Sequence, residues 1–336
     1  MEKTTSSPLF VAISDVHFNL NFLDLAASAL VTAINHANML QVPLVVAGDL
    51  NDTKAIIRAE VANRLIEILK YSDVQVFILV GNHDLVNEKG KEHSLNFLAP
   101  YATVIDSPRV HPQLPEVLFI PYQSDSEALK SIVHRPWSEK IFVMHQGFNG
   151  AFMGDYVQDK SSISVDEVAH VKVFSGHYHR HQNLGTVTYI GNPFTVSYGE
   201  ANDGEKGFLV VNRDGSYEQI PLNLRKHKVI SIDLGKTDLF DGKNFRGIRD
   251  NDLCWIKLYG PKSQLAQIKK EHIAKFITKN FKLEKYPNDN KEIARDELTA
   301  MGANQMLDYL IDRMGEDASY KEYVKQLWRE VLNANS

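Results

Sequence analysis

The sequence predicts an α/β fold: a two-sheet α/β sandwich, followed by a smaller α+β domain and C-terminal helices. Three observations lead to this prediction. Short apolar runs alternate with amphipathic segments through the first half of the chain, which is the pattern of repeated β-α-β units. After Gly185 the pattern changes to short strand-like runs separated by turn residues, as in β-hairpins. A chain of 336 residues also exceeds one comfortable hydrophobic core, so we expect two domains.

The first domain is predicted to span residues 1–225. Its predicted strands are 8–14, 43–47, 74–80, 103–105, 117–121, 186–190 and 207–211. Apolar residues at every third or fourth position predict helices over 20–40 and 53–70, with a short helix that includes 95–98. The sequence Asn212-Arg-Asp-Gly215 is a turn signal after the last of these strands.

A second domain is predicted for residues 226–288, where a new pattern begins. Predicted strands at 229–234, 253–259 and 281–285 accompany a helix over 261–280, which opens with proline at a tolerated first-turn position. Residues 289–336 are predicted to form two amphipathic helices, one of which carries Leu327 and Trp328 on its apolar stripe. The sequence leaves open whether these stripes pack on the second domain or dock on a partner.

Composition limits the classes of function. The net charge of −5 argues against broad nonspecific nucleic-acid binding of the kind seen in strongly basic domains. The single Cys254 cannot form an intrachain disulfide, and we expect a structural thiol in a reducing compartment. No apolar run approaches the ~20 residues that span a bilayer, and the N-terminus does not resemble a signal peptide. The protein is therefore expected to be cytoplasmic and independent of membranes.

Polar motifs follow five of the apolar runs, at the points where buried strands are predicted to end. The seven residues of interest are Asp15, His17, Asp49, Asn82, His145, His177 and His179. Residues just past the end of a strand reach the crevice where ligands of open α/β sheets bind. In the two D-x-H and H-x-H pairs, a spacing of two places both side chains on one side of extended backbone.

Any one of these residues could be an ordinary loop residue, a helix cap or a hydrogen-bonded core group. Five such motifs in one chain instead indicate a two-metal hydrolase centre. Oxygen and imidazole donors without thiolate suit Mn, Fe, Zn or Co better than Ca or Mg, which prefer oxygen alone. The identity of the metal stays open.

The order D-x-H, G-D, G-N-H-D, a lone histidine and G-H-x-H resembles the calcineurin-like metallophosphoesterase superfamily. Within it, the stretch Tyr189-Ile-Gly-Asn-Pro-Phe-Thr-Val-Ser-Tyr-Gly-Glu200, followed by Glu205-Lys-Gly-Phe-Leu209, is similar to the SbcD and MRE-eleven DNA nucleases. So is Ala47-Gly-Asp-Leu-Asn-Asp-Thr53, which has the SbcD form of the second motif. The similarity covers roughly the first two thirds of the chain.

This resemblance implies a set of roles. Asp15, His17 and His179 would hold one metal, and Asn82, His145 and His177 the other, with Asp49 as the bridge. His83 would act on the leaving oxygen or the phosphorus, and Asp84 would fix the orientation of its ring or cap a helix. Asp52 stands where several relatives carry a histidine, and we expect it to be only a helix cap.

The implied function is a DNA exonuclease and endonuclease that works on DNA ends with two divalent ions. Mn²⁺ is the first expectation, with Mg²⁺, Fe²⁺, Zn²⁺ or Co²⁺ as alternatives. The implied partners are single- and double-stranded DNA and an SMC-like coiled-coil ATPase, with a homodimer inside a heterotetramer. Residues 226–288 would form a capping domain over the active site. The alternatives are a stand-alone phosphatase or small-molecule phosphodiesterase, and a metal-site scaffold without chemistry.

Overall fold

A computed structural model of the chain describes residues 6–87, 91–154, 157–160, 162–236, 242–277 and 281–287. Its strands are β1 (Pro8–Ile13), β2 (Leu44–Val46), β3 (Val76–Leu79), β4 (Thr103–Ile105), β5 (Arg109–His111), β6 (Leu114–Ile120), β7 (Ile141–His145), β8 (Lys172–Gly176), β9 (Gln182–Leu184), β10 (Val187–Tyr189), β11 (Gly207–Asn212), β12 (Tyr217–Pro221), β13 (His227–Asp233), β14 (Leu253–Gly260) and β15 (Phe281–Pro287). Its α-helices are α1 (Leu23–Leu40), α2 (Ala59–Leu69), α3 (Ser126–Val133), α4 (Lys262–Gln267) and α5 (Lys270–Ala274).

Two mixed six-stranded sheets form the α/β sandwich that the sequence predicts. The first has the order β12-β11-β1-β2-β3-β4, and the second has the order β5-β6-β7-β8-β10-β9. Strands β1 to β4 run parallel to one another, and so do β6, β7, β8 and β10, whereas β11, β5 and β9 pair antiparallel with β1, β6 and β10. The carboxyl ends of β1, β2 and β3 therefore lie along one edge of the first sheet, and those of β7 and β8 along one edge of the second.

The central core lies between the two sheets, and alternate residues of β1 show why its sequence is continuously apolar. Phe10 and Ala12 pack with Phe119 and Phe174 of the second sheet. Val11 and Ile13 face the other way, into the cluster that contains α1 and α2. Burial on both faces favours an uninterrupted apolar run, which is the pattern that identified these strands.

Two predicted helices are shorter than expected. Helix α2 begins at Ala59 rather than at residue 53, because Ala55 has a left-handed backbone (φ 62°) and the Thr53 hydroxyl donates to the Ile56 carbonyl. The helix predicted over 261–280 is interrupted at Ile268, whose extended backbone (φ −84°, ψ 122°) separates α4 from α5. Both interruptions are backbone features that apolar periodicity does not detect.

A third sheet has the order β13-β14-β15. The described residues fall into two compact units. The first unit contains the described residues up to 231, within 240–257 and within 270–284. The second unit contains the described residues within 232–239, within 258–269 and from 285 on. The predicted boundaries near 225 and 288 stay predictions. The C-terminal helices predicted over 289–336 lie outside the described residues. Among the helices that the structure describes, none has the length and apolar character needed to cross a membrane.

Candidate metal centre

The seven residues that the sequence singled out come together in one place. Asp15 and His17 follow β1, Asp49 follows β2, Asn82 follows β3, His145 is the last residue of β7, and His177 and His179 follow β8. The parallel arrangement of the strands accounts for this convergence, because carboxyl ends of parallel neighbours lie at the same edge of a sheet.

One group of side chains consists of Asp15, His17 and His179. A ligand atom of each lies within 4.8 Å of the others. The two imidazole Nε2 atoms, of His17 and His179, are 3.1 Å apart. These three side chains could hold a metal ion, and they are the residues predicted for the first site.

A second group is centred on the side-chain oxygen of Asn82. Its Oδ1 lies 3.0 Å from His145 Nε2 and 2.9 Å from His177 Nδ1. The amide oxygen of Asn82 and the imidazole nitrogens of His145 and His177 thus lie close enough together to bind one cation. These are the three residues predicted for the second metal site.

Asp49 lies between the two groups. Its Oδ2 is 3.2 Å from His145 Nε2 and 3.9 Å from His17 Nε2. Its Oδ1 accepts a hydrogen bond of 2.8 Å from the backbone N–H of His83. A carboxylate in this position can contact a cation on either side, as expected for a bridging ligand.

The donor set fits divalent cations, because hydrogen bonds on the far side of the rings fix the nitrogens that face the site. His145 Nδ1 donates to the Ala47 carbonyl at 2.8 Å, and His179 Nδ1 donates to Glu200 Oε1 at 2.7 Å. In a neutral ring, each Nε2 then carries a lone pair. Lone pairs and carboxylate oxygens that face one another repel unless a proton or a cation lies between them.

The electrostatics of the cluster also favour a cation. Burial alone would lower the pKa of His145, but the carboxylates of Asp49 and Asp15 raise it to about 9. Burial alone would raise the pKa of Asp49, yet the charge of His145 holds it well below its usual range. Burial and the nearby His145 lower the pKa of His177 to about 4, so its imidazole is neutral and available as a ligand at neutral pH.

The backbone around the site is strained at the ligands themselves. Asp15, His17, Asp49 and His177 all have positive φ, between 50° and 90°, although this region is unfavourable for residues other than glycine. Such strain persists only where the surrounding structure holds it, and it is commonly found at functional sites.

Glycines in two of the motifs allow the close packing of the ligands. A Cβ atom on Gly48, whose φ is 90°, would lie 2.2 Å from His145 Nδ1. A Cβ atom on Gly81 would lie 2.2 Å from Asp49 Oδ1. The glycines of the G-D and G-N-H-D motifs are therefore needed because any side chain would displace a ligand.

His83 lies beside the cluster, and its ring packs edge-on against His17 with centroids 4.9 Å apart. Its Nδ1 donates to the Asp52 carbonyl at 2.9 Å. The prediction that Asp84 orients this ring is wrong: the Asp84 carboxylate accepts from the backbone N–H groups of Asn51 (3.0 Å) and Gly81 (2.9 Å). Asp84 holds the third motif against the second and does not cap a named helix.

Asp52 and Glu200 belong to the site, although no role at the metals was predicted for either. Asp52 does not cap α2, which begins seven residues later; its carboxylate lies 3.4 Å from His17 Nδ1 and accepts from Asn19. Glu200 orients His179. The one available signal for Glu200 was its place in the 189–200 stretch, which resembles the nucleases.

The buried side chain of Lys206 stabilises the ionised form of Glu200. Lys206 Nζ donates to the His179 carbonyl (2.9 Å) and to Asp203 (2.8 Å), and it lies 3.6 Å from Glu200. Burial alone would raise the pKa of Glu200, but the hydrogen bond from His179 and the charge of Lys206 lower it to about 2. Glu200 is therefore an anion that can hold the His179 ring in one tautomer.

Comparisons with known proteins agree with this geometry. The family model "Calcineurin-like phosphoesterase" matches residues 8–181, just over half of the chain. "Exonuclease subunit 1" of Enterobacteria phage T4 is 26% identical over 211 residues, which are 59% of this chain and 61% of that protein. "DNA double-strand break repair protein Mre11" of Methanocaldococcus jannaschii is 25% identical over 212 residues, which are 55% of this chain and 57% of that protein.

The aligned region thus spans about three fifths of the length of these curated relatives. The family model, over residues 8–181, contains all five polar motifs and ends two residues after the last histidine of the G-H-x-H motif. With its two-sheet fold and its cluster of aspartates and histidines, the chain belongs to the calcineurin-like phosphoesterase family of metal-dependent phosphoester hydrolases.

Proposed function

We propose that the protein is a Mn²⁺-dependent DNA nuclease with exonuclease and endonuclease activity, the SbcD-like subunit of a complex that processes DNA ends in the cytoplasm. The observation that carries the proposal is the convergence of seven side chains, with Asp49 between the other six and His83 beside them. His83 belongs to neither of the two proposed ligand groups, but its ring lies with that of His17 and the carboxylate of Asp52 in a third cluster of possible metal-binding atoms. A scaffold protein without chemistry would not need His83 in that position.

Asp15, His17 and His179 would hold one cation, and Asn82, His145 and His177 the other, with Asp49 shared. When bound, two divalent ions supply Lewis-acid stabilisation of charge on the phosphoryl oxygens and activate water for attack. Hydrogen bonds from His145 to the Ala47 carbonyl and from His179 to Glu200 keep these rings oriented before any substrate arrives.

His83 would provide the proton for the leaving oxygen. Because its Nδ1 donates to the Asp52 carbonyl, Nε2 is the nitrogen that can gain a proton and pass it on. In hydrolysis the oxygen of a water molecule forms a bond to phosphorus and that water gives up a proton, while the bond from phosphorus to the leaving oxygen breaks and the leaving oxygen takes the proton from His83. Asp52 and Asp84 contribute by fixing the ring and the backbone of this loop.

DNA is proposed as the substrate because two relatives that this chain resembles carry the names of an exonuclease subunit and a DNA double-strand break repair protein. A stand-alone phosphatase or small-molecule phosphodiesterase would use the same metal ligands. A direct assay with DNA and with phosphate monoesters therefore distinguishes the nuclease from the phosphatase.

We also propose that an SMC-like coiled-coil ATPase binds the chain and that two copies of each form a heterotetramer. With a net charge of −5, the chain has little overall electrostatic attraction for DNA, so a second subunit that binds DNA would strengthen the interaction. The proposed docking segment contains Leu327 and Trp328, which lie outside the described residues. Replacing both by charged residues should abolish co-purification with the ATPase and leave metal-dependent cleavage of short single strands unchanged. Unchanged co-purification would refute this assignment.

The test is incubation of the full chain with Mn²⁺, Mg²⁺ or EDTA and end-labelled single- or double-stranded DNA. Nucleoside monophosphates and p-nitrophenyl phosphate are assayed in parallel. The proposal predicts Mn²⁺-dependent shortening of DNA that a His83→Asn variant, purified in the same way, does not produce. Hydrolysis of the monoesters with intact DNA would support the phosphatase alternative, and equal cleavage by the variant would reveal a contaminating nuclease.

A further inference from the structure

The loop that follows β2 runs beside the loop that follows β1 beyond the ends of both strands. The backbone N–H of His17 donates to the Asp49 carbonyl at 3.1 Å. The N–H of Phe18 donates to the Leu50 carbonyl at 2.8 Å. In return, the N–H of Asp52 donates to the Phe18 carbonyl at 3.3 Å. These backbone hydrogen bonds place Asp52 next to His17, although the two residues belong to different motifs.

The two ring nitrogens of His17 differ in their surroundings. Nε2 lies 3.1 Å from His179 Nε2 and 3.9 Å from Asp49 Oδ2, so it faces the metal centre. Nδ1 is buried and makes no hydrogen bond with the described residues, yet Asp52 Oδ1 lies only 3.4 Å from it. Because buried polar atoms are normally hydrogen-bonded, the Asp52 carboxylate is the acceptor that a small rotation of either side chain brings into range.

Other contacts hold Asp52 in a position to accept this hydrogen bond. Asn19 Nδ2 donates to Asp52 Oδ2 at 3.1 Å and to the His17 carbonyl at 3.2 Å, which leaves Oδ1 of Asp52 for His17. The Asp52 backbone carbonyl accepts from His83 Nδ1 at 2.9 Å. Asp52 therefore contacts a proposed metal ligand through its side chain and the proposed acid through its backbone.

His17, Asp52 and His83 also form a cluster whose possible ligand atoms lie within 4.8 Å of one another, which raises the alternative of a third cation. The hydrogen bonding argues against this alternative. His83 Nδ1 is engaged with a backbone carbonyl, and a neutral imidazole has one lone pair and one hydrogen on its two nitrogens. If His17 Nε2 offers its lone pair to the first cation, Nδ1 carries the hydrogen and faces Asp52 as a donor.

We propose that Asp52 is a positioning residue for the first cation: its carboxylate accepts from Nδ1–H of His17 and directs the Nε2 lone pair to that cation. This inference rests on the proposed function, in which His17 is a metal ligand. The two imidazoles assigned to the first cation are then each held by a carboxylate, because Glu200 holds His179 in the same way. Removing such a partner usually weakens metal binding by about 10–100-fold.

Titration of the full chain with Mn²⁺, followed by the electron paramagnetic resonance of the free ion, measures both stoichiometry and affinity. We expect two ions per chain in the wild type, in Asp52→Asn and in Asp52→Ala. The affinity for one ion should fall by about tenfold in Asp52→Asn, whose amide oxygen still accepts, and by about 100-fold in Asp52→Ala. The matched control, Asp73→Asn, changes an exposed carboxylate shortly before β3 and should leave both affinities unchanged.

Nitrogen NMR of protein labelled with ¹⁵N-histidine distinguishes positioning of His17 from general support of the loop. Spectra are recorded with saturating Zn²⁺, which is diamagnetic, at about pH 8.5, above the ordinary histidine pKa of about 6.5. Spectra of His17→Gln and His83→Gln assign the signals. The wild type should show a hydrogen on His17 Nδ1 that exchanges slowly with water. In Asp52→Ala this hydrogen should exchange faster, while the Nδ1–H signal of His83 should persist because its acceptor is a backbone carbonyl.

Wild-type Mn²⁺ affinity and an unchanged His17 signal in Asp52→Ala would overturn the inference. A third Mn²⁺ ion that binds the wild type and is lost in both Asp52 variants would make Asp52 a ligand instead. Joint loss of the His17 and His83 signals would reduce Asp52 to a structural support for the loop. DNA cleavage is measured on the same preparations. If the wild type binds two ions and cleaves no DNA, the proposed nuclease function fails, while the titration and the spectra still decide this inference.

Discussion

The Nε2 atoms of His17 and His179 lie 3.1 Å apart although 162 residues separate the two histidines. His17 follows a strand of the first sheet, and His179 follows a strand of the second. The candidate centre is therefore built across the two sheets, and it forms only when both are folded and packed together. We expect metal binding to stabilise the whole sandwich, because a cation that binds only the folded state raises its stability.

Asp49→Ala should remove metal from both sites, whereas Asp15→Ala should chiefly empty one. The reason is that Asp49 Oδ2 faces both His145 and His17, while Asp15 is assigned with His17 and His179 to the first cation. Asp15 also lies within 4.8 Å of ligand atoms of Asp49 and His145, so a smaller loss at the second cation is expected in that variant. Metal content of the dialysed proteins, measured by mass spectrometry, checks this. Full occupancy in the Asp49 variant would contradict the bridging role.

His83→Ala should retain both metals and lose cleavage by a factor of about 10²–10⁴, the usual contribution of a positioned general acid. The ring lies outside both ligand groups, so its loss affects the reaction rather than ion binding. Single-turnover cleavage of labelled DNA and metal analysis of the same preparation provide the check. Loss of metal from this variant would instead make His83 a ligand.

Glu200→Gln should weaken metal binding by about 10–100-fold, the usual effect of losing a residue that orients a metal-binding histidine. The ionised carboxylate accepts from His179 Nδ1 at 2.7 Å, and an amide is a weaker acceptor that can also turn its donor toward the ring. Glu218→Gln on the exposed part of β12 is the control. Mn²⁺ titration should show weaker binding only in the first variant, and equal affinities would mean that Glu200 has no positioning role.

Asp252→Asn should lower the free energy of unfolding by about 2 kcal/mol at neutral pH, because a buried carboxylate loses charge-assisted hydrogen bonds. Asp252 accepts from the N–H of Lys226 (2.9 Å) and from Arg249 Nη2 (2.8 Å). Asp24→Asn, at a side chain that is 93% exposed, should change stability by less than about 0.5 kcal/mol.

The effect of Asp252→Asn should also depend on pH. Burial opposes ionisation, but the hydrogen bonds from Arg249 and from the Lys226 backbone lower the pKa of Asp252 below its usual value. Its stabilising contribution is complete above the unfolded pKa of about 3.9 and is lost as pH falls through the folded pKa. Urea unfolding at several pH values should show the difference between wild type and variant shrinking below about pH 4. A constant difference would contradict the assignment.

The convergence of the seven candidate ligands could be predicted because each lies within a few residues of a buried strand's end. Apolar runs identify the strands, and parallel pairing brings their ends together without knowledge of side-chain contacts. Asp15, Asp49 and Asn82 can therefore be identified as candidate ligands from the local sequence alone. The two-sheet sandwich was predictable for the same reason and is confirmed.

The supporting residues were not predictable in this way. Glu200 reaches His179 across 21 residues, from a short 3-10 helix (Tyr198–Glu200) that has no periodic pattern. Asp52 orients His83 through its backbone carbonyl, an atom that every residue possesses. Asp84 was assigned to the adjacent ring because it is next to it in sequence, but its carboxylate contacts backbone N–H groups instead. Such contacts depend on how loops fold back, which residue type alone does not determine.

The most direct test of the two-metal centre is anomalous scattering from crystals of the full chain soaked in Mn²⁺. We expect two manganese peaks about 3.5–4 Å apart, with Asp49 in contact with both. One should lie against Asp15, His17 and His179, and the other against Asn82, His145 and His177. A single peak at saturating Mn²⁺, or a pair that Asp49 does not join, would contradict the proposed centre.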